Sequence, residues 1–184
     1  MRLQAGDRAP DFEATDIYGT MHSLAGYAGR PLMISFYRYA ACPLCNLRVS
    51  QLLRVYPQFE KNGLNMLAFF QSPESSIRRY AGRQSEPYPI VSDIDAAYYE
   101  LFGLELATEA EMERFKSTVR PVFEQAKAAG FTGGPVEGDI RQLPADFLIA
   151  PDGTIEQLYY GKDISDHIPM GRVQMFMAKY ANAA

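Results

Sequence analysis

Residues 31–45 read PLMISFYRYAACPLC. The first seven form an apolar run of the kind that makes a strand buried on both faces. The last four, C-P-L-C, hold both cysteines of the 184-residue chain, three positions apart. Beyond them Val49, Leu52, Leu53 and Tyr56 recur at i, i+3, i+4 and i+7, one face of an amphipathic helix beginning near Cys42. The strand thus delivers Cys42 to the first turn of a helix, where free backbone N–H groups and the positive end of the dipole favour a thiolate. Cys45 lies one turn further on the same face, within reach of Cys42 for a disulfide, and Pro43 suits a first turn that needs no N–H there. Cys42 is the candidate nucleophile and Cys45 its resolving partner. Arg38 and Arg48 flank the pair and are candidates for lowering its pKa or stabilising a developing oxyanion.

Two competing readings of the pair are weaker. Buried structural thiols pack as small hydrophobes but seldom sit at a strand-to-helix junction. A zinc site needs four ligands, and only His22 and His167 could complete a Cys2His2 set, from distant and unpatterned positions. No metal and no cofactor is therefore expected. Tyr39 is a candidate for the site through its nearness to Cys42. His167 reads first as a structural or surface histidine.

Outward from this segment, LNMLAFF at 64–70 reads as a second strand and Ser72 as the N-cap of a helix running to about Gly82. Strand, helix, strand, helix implies a parallel βαβ unit. Pro57 is expected to kink or end the first helix. A short strand at Ile90 and Val91 precedes a helix with Ala97, Tyr98, Leu101 and Phe102. Thr108 and Glu111 form a capping-box pattern, Pro121 breaks or bends the helix that follows, and GFTGGPVEGD at 130–139 is the most flexible-looking stretch. DFLIAPDGTIEQLYY then gives two strands joined by Asp152 and Gly153, the dipeptide of a tight hairpin, and Val173, Phe176, Met177 and Tyr180 mark a last helix. The sum is one α/β domain, 1–184, with a central mixed sheet flanked by helices, an N-terminal extension and a helical insertion near 104–140.

Composition narrows the function classes. A net charge of −4 without a dense Lys/Arg block gives no footprint for nucleic acid or an anionic membrane. No apolar run approaches the ~18 residues of a membrane span. The polar start MRLQAGDRAPDF lacks the hydrophobic stretch of a secretory signal, so a cytoplasmic protein is expected, where a close cysteine pair is more often catalytic than a staple.

Five segments in order carry a resemblance: GDRAPDFEATDIYGTMHSL at 6–24, PLMISFYRYAACPLC, SPESSIRRYA at 72–81, VSDIDAAYYELFGL at 91–104 and LPADFLIAPDGTIEQLYYG at 143–161. Together they resemble the alkyl hydroperoxide reductase/thiol-specific antioxidant family, peroxiredoxin-like proteins of the thioredoxin fold, in a branch with C-x-x-C. The resemblance implies that Cys42 is the peroxidatic cysteine and Cys45 resolves it. It also implies that Pro144 matches the cis-proline facing the cysteine pair in thioredoxin-like proteins. Typical members place proline seven and threonine or serine three residues before the nucleophile, where this chain has Ser35 and Tyr39. Their activating arginine position is held by Pro144, and the buried acid of thioredoxin is replaced by Ser35, leaving no carboxylate in view for the proton of Cys45.

The function expected is hydroperoxide reduction through Cys42 and Cys45, with a thioredoxin-type or other thiol reductant. The alternatives are thiol-disulfide exchange on a disulfide substrate and a non-catalytic redox-sensing module. A homodimer is left open.

Overall fold

In this computed structural model, which describes residues 2–84 and 87–181, the chain opens with a small antiparallel ribbon, β1 (Glu13–Thr15) and β2 (Met21–Ser23). The apolar run then becomes β3 (Leu32–Phe36), buried at all five positions. Cys42 caps α1 (Pro43–Lys61), and β4 (Asn65–Phe70) returns parallel to β3, as the βαβ reading requires. After α2 (Glu74–Arg79), β5 (Ile90–Ser92) pairs parallel to β4 and leads into α3 (Ala97–Leu101). Two helices, α4 (Glu109–Thr118) and α5 (Arg120–Ala128), make up the insertion. The hairpin β6 (Ala145–Ile149) and β7 (Ile155–Tyr160) completes the sheet, and α6 (Met170–Tyr180) is the last helix among the described residues.

The five-stranded sheet runs β5-β4-β3-β6-β7, with β6 antiparallel to β3, so the mixed sheet of the sequence reading is present. Side chains alternate across it. Leu32, Ile34 and Phe36 enter the core shared with Phe12, Phe102 and Phe147, under the N-terminal extension and α3. Met33 and Tyr37 enter the other core with both cysteines, Leu52 and Phe59 of α1, and Phe176 of α6. The cysteine pair therefore sits at the end of the central strand, over the face covered by α1.

Three local expectations are corrected. Pro57 does not end α1, which continues to Lys61. Pro57 is exposed, so its ring meets no packed neighbour element, while buried Phe59 holds the final turn against the core. Ser72 does not cap α2. Pro73 occupies that position, and the Ser72 hydroxyl instead accepts the Ala40 N–H at 2.8 Å, tying down the loop before Cys42. The Leu143–Pro144 peptide is trans, as are all described peptide bonds. A cis X–Pro bond costs about 0.5–1 kcal/mol, and here the trans chain already seats the Pro144 carbonyl on the Gly161 N–H at 2.9 Å at the mouth of β6.

The capping box is present, with Glu111 N–H donating to Thr108 Oγ1 and Thr108 N–H to the Glu111 carboxylate. The chain breaks between α4 and α5 at Val119, just before Pro121, and α5 lies against α1. Residues 130–142 then run without helix or strand across the N-terminus of α1. No helix among the described residues is long and apolar enough to cross a membrane.

Candidate active site

Cys42 and Cys45 are free thiols, only 1% and 2% exposed. The loop that holds them is pinned from several sides. Asn46 donates from Nδ2 to the carbonyls of Ala40 and Cys42, at 2.7 and 2.9 Å, and the Cys42 N–H donates to the Tyr39 carbonyl. Arg38, also buried, reaches Cys42 Sγ through Nη1 at 3.5 Å, and its backbone N–H points at Cys45 Sγ at 3.4 Å.

These contacts separate the two thiols. Burial alone would push Cys42 up. The hydrogen bond from Cys45, the Arg38 charge and the first-turn amides of Cys45 and Leu44 outweigh it and bring Cys42 down to about 6. Cys45 moves the other way, well above the ordinary thiol value, because it is buried and faces a neighbouring thiolate. One sulfur is thus favoured as the thiolate at neutral pH, and the other is the protonated partner that donates to it.

The remaining candidates fall in different places. Tyr39 lays its ring against Arg38, 5.3 Å from guanidinium carbon to ring centre, and burial raises its phenol to about 12, so it faces the cation as a neutral ring. Pro144 is buried at the start of β6, against Gly161. Arg48 is one turn beyond Cys45, yet its Nη2 donates to the Ile168 carbonyl at 2.8 Å rather than to either sulfur.

Arg48 belongs to a buried polar cluster that sequence reasoning missed. Asp146 of β6 is fully buried and stands opposite Ser35 of β3. Its Oδ1 accepts the Ser35 hydroxyl at 2.7 Å, and its Oδ2 accepts the Ile168 N–H at 2.8 Å and lies 3.0 Å from His167 Nδ1. Burial would raise this carboxyl, but the His167 charge and hydrogen bond, Arg48 and the Ile168 amide hold it below the ordinary value. Tyr37, stacked on Phe70 and tilted against His167, lies over the same face, and burial drives its phenol far up. A carboxylate absent from the strand position before Phe36 is therefore supplied from the adjacent strand. The signal was in the sequence: Ser35 is the one polar residue of LMISF and Asp146 the one polar residue of ADFLI.

Because Asp146 is stabilised as the anion on folding, its contribution is present above its unfolded value, near 3.8, and is lost as pH falls through the lower folded value. Asp146→Ala, which leaves His167 and Ser35 without their acceptor, is expected to cost about 3–5 kcal/mol of unfolding free energy. Urea unfolding at pH 7 measures this, and an unchanged midpoint would remove the cluster from the fold's support.

The histidines are engaged elsewhere than at the sulfurs, His22 between Asp16 and Tyr27, His167 with Asp146. Among the described residues no group of three or more His, Cys, Asp or Glu is placed to hold a metal.

A cover lies over the pair. The backbone at Gly133, at φ +86°, crosses so close that a Cβ would stand 3.3 Å from the Pro43 ring, and one on Gly134 would meet the Tyr80 hydroxyl at 2.7 Å. Arg38 Nη2 donates to the Ile140 carbonyl, Ser76 donates to Glu137, and the Asp139 N–H donates to Gln71 Oε1 at 3.0 Å. Between this cover and α1 a cavity of about 210 Å³ remains, lined by Ala41, Asn46, Tyr80, Gln84 and residues 130–133.

Residues 5–158 match the AhpC/TSA family. A protein of Mycobacterium tuberculosis that carries the name peroxiredoxin is 28% identical over 167 residues, 91% of each chain. The thiol-disulfide oxidoreductase ResA of Geobacillus kaustophilus is 33% identical over 92 residues, so the match spans 50% of this chain and about half, 52%, of that relative. Among solved structures, PrxQ of Xylella fastidiosa superposes with a TM-score of 0.69 at 17% identity, covering 100% of this chain and 99% of that one, a likeness of fold. With the family match running from the N-terminal extension through the central strand and cysteine turn into β7, the chain belongs to the AhpC/TSA family as a peroxiredoxin-like, thiol-dependent oxidoreductase of the thioredoxin fold.

Proposed function

We propose that the chain reduces hydroperoxides through Cys42 and Cys45. The observation that carries the reading is a nucleophilic sulfur at about 6, held 3.5 Å from a buried guanidinium, with a protonated second cysteine one helical turn away.

The Cys42 thiolate attacks the outer oxygen of ROOH, the O–O bond breaks, and Cys42 becomes a sulfenic acid that keeps the peroxide proton, while the alkoxide leaves and takes a proton from water to become ROH. Arg38 supports the charge that develops on the departing oxygen. The Cys45 sulfur then displaces hydroxide from the Cys42 sulfenic acid, the thiol proton and the hydroxide leave as water, and a disulfide remains. A dithiol reductant of thioredoxin type restores both thiols by exchange, returning two electrons. Asp146 and His167 fix β3 beneath Tyr37 and so support the face on which Cys45 rests. A cavity of about 210 Å³, lined by Ala41 and Asn46 but by neither sulfur, adjoins the turn that holds Cys42 and has room for a small peroxide. The chain acts as a single domain in the cytoplasm on this reading.

A second reading, exchange with a disulfide substrate, is favoured by the C-P-L-C spacing and the half-length likeness to ResA. Reduced protein mixed with one equivalent of hydrogen peroxide, or separately of an oxidised dithiol, is followed by rapid quench and mass spectrometry. Fast disulfide formation with peroxide is the expected result. Slow reaction with peroxide beside fast exchange with the dithiol would replace the peroxidase reading by the exchange reading.

A further inference from the structure

With the cysteines 1% and 2% exposed, a protein reductant does not reach the pair in this closed arrangement, in which residues 130–142 cross the cysteine turn at Ala41 and Pro43. The contacts of this cover are unequal. Most join neutral groups, such as Gln71 to the Asp139 N–H and to Gln142, or are made by Glu137 to Ser76. One joins it directly to the redox centre: the Arg38 guanidinium holds Cys42 Sγ with one terminal nitrogen and the Ile140 carbonyl with the other.

We infer that Arg38 is a redox-operated latch, holding the cover of residues 130–142 shut over the reduced pair and releasing it when the disulfide forms. Arg38 is buried to 3% exposure, its Nε has no partner, and the negative charge it faces is on Cys42. Oxidation by the hydroperoxide removes two electrons from the pair and its negative charge with them. The guanidinium is then left in the interior with a single neutral carbonyl, an arrangement that buried cations do not sustain. It turns toward water, and the Ile140 carbonyl loses its donor. A small peroxide thus reacts under a closed cover, and the bulky dithiol partner is admitted only after oxidation. The inference rests on the redox-pair reading for its oxidised state, and deepens it by naming how the reductant gains access.

Hydrogen–deuterium exchange with mass spectrometry on the full chain tests the latch. The amides of Asp139, Arg141 and Gln142, each hydrogen bonded in the closed cover, report on it, and peptides of β3 and β4 serve as the fold control. The oxidised form is prepared with an oxidised dithiol, and loss of two hydrogens in the intact mass verifies the disulfide. Cover amides are expected to exchange at least about tenfold faster in the oxidised form, the effect of losing a charge-assisted hydrogen bond. Equal exchange in the two forms overturns the latch. Cys42→Ala removes the counter-charge without any oxidation, and its cover is expected to exchange like the oxidised wild type even in reductant. Protection at the reduced wild-type level in Cys42→Ala also overturns the proposal. In Arg38→Met the cover exchanges fast in both states, whereas a redox difference that survives there rules out Arg38. If the mass shows that no disulfide forms, the redox-pair reading fails, and the Cys42→Ala arm still decides the latch.

Discussion

Cys42→Ser is expected to lower hydroperoxide turnover by at least about a thousandfold, since a serine hydroxyl at the same place has neither the acidity nor the nucleophilicity of the thiolate. The surroundings of Cys42 are tuned to one ionisation: Arg38 at 3.5 Å and the first-turn amides lower a buried thiol to about 6. None of these groups makes an alkoxide accessible at neutral pH. Cys45→Ser is expected to behave differently. The first step survives, and the sulfenic acid on Cys42 accumulates because no second thiol lies one turn away to condense with it. Trapping with a dimedone-type reagent, followed by intact mass, distinguishes the two. Full turnover in both variants would remove the pair from the chemistry.

Arg38→Met should slow the peroxide step by about a hundred- to a thousandfold, the usual effect of deleting one donor aimed at developing charge. Methionine keeps an unbranched apolar stem but ends short of the guanidinium, so the change removes the charge beside Cys42 together with the contacts to Tyr39 and Ile140. The same change moves the pH profile. In the unaltered chain Cys42 titrates at about 6, below its ordinary value, so the thiolate predominates at neutral pH and the rate falls as pH drops through that value. Without the guanidinium the inflection moves upward, toward or beyond the ordinary thiol value of about 8.5. Peroxide reaction rates from pH 5 to 9 measure both effects. An inflection that stays at about 6 in Arg38→Met would mean that the helix amides and Cys45 alone set the thiolate, leaving Arg38 only its contact with the cover.

The parts of the fold that could be read from the sequence are those written in local pattern. PLMISFY, the helical face from Val49 to Tyr56, the capping box at Thr108 and the Asp152–Gly153 hairpin each carry their instruction within a few residues, and each is present in the structure. What escaped depends on partners brought together by tertiary pairing. Asp146 lies 111 residues from Ser35 and 21 from His167, so no spacing rule joins them. Ser72 has the chemistry of a cap, yet the N–H that its hydroxyl accepts belongs to Ala40. Arg48 sits at the right helical interval from Cys45, but a long side chain can be claimed by any acceptor in its arc, and the Ile168 carbonyl claims it. Arg38, adjacent to the strand end, was legible as a flanking charge. Its second attachment, to Ile140 some hundred residues on, was not.

The Ser35–Asp146 pair has a consequence beyond its hydrogen bonds. Strands β3 and β6 are otherwise apolar, and apolar side chains discriminate poorly between alignments that keep the same residues on the same face. A slip of one position would turn the side chains of one strand to the opposite face, which the two cores already forbid. A slip of two keeps every face and would set Asp146 opposite Met33 or Tyr37 instead of Ser35. The carboxylate would then lose the hydroxyl that the correct alignment provides, deep in an interior that does not tolerate an underserved charge. One serine and one aspartate thus act as an alignment key for two greasy strands. Because β3 runs on through Tyr37 into Arg38 and the cysteine turn, the same key sets where Cys42 comes to rest.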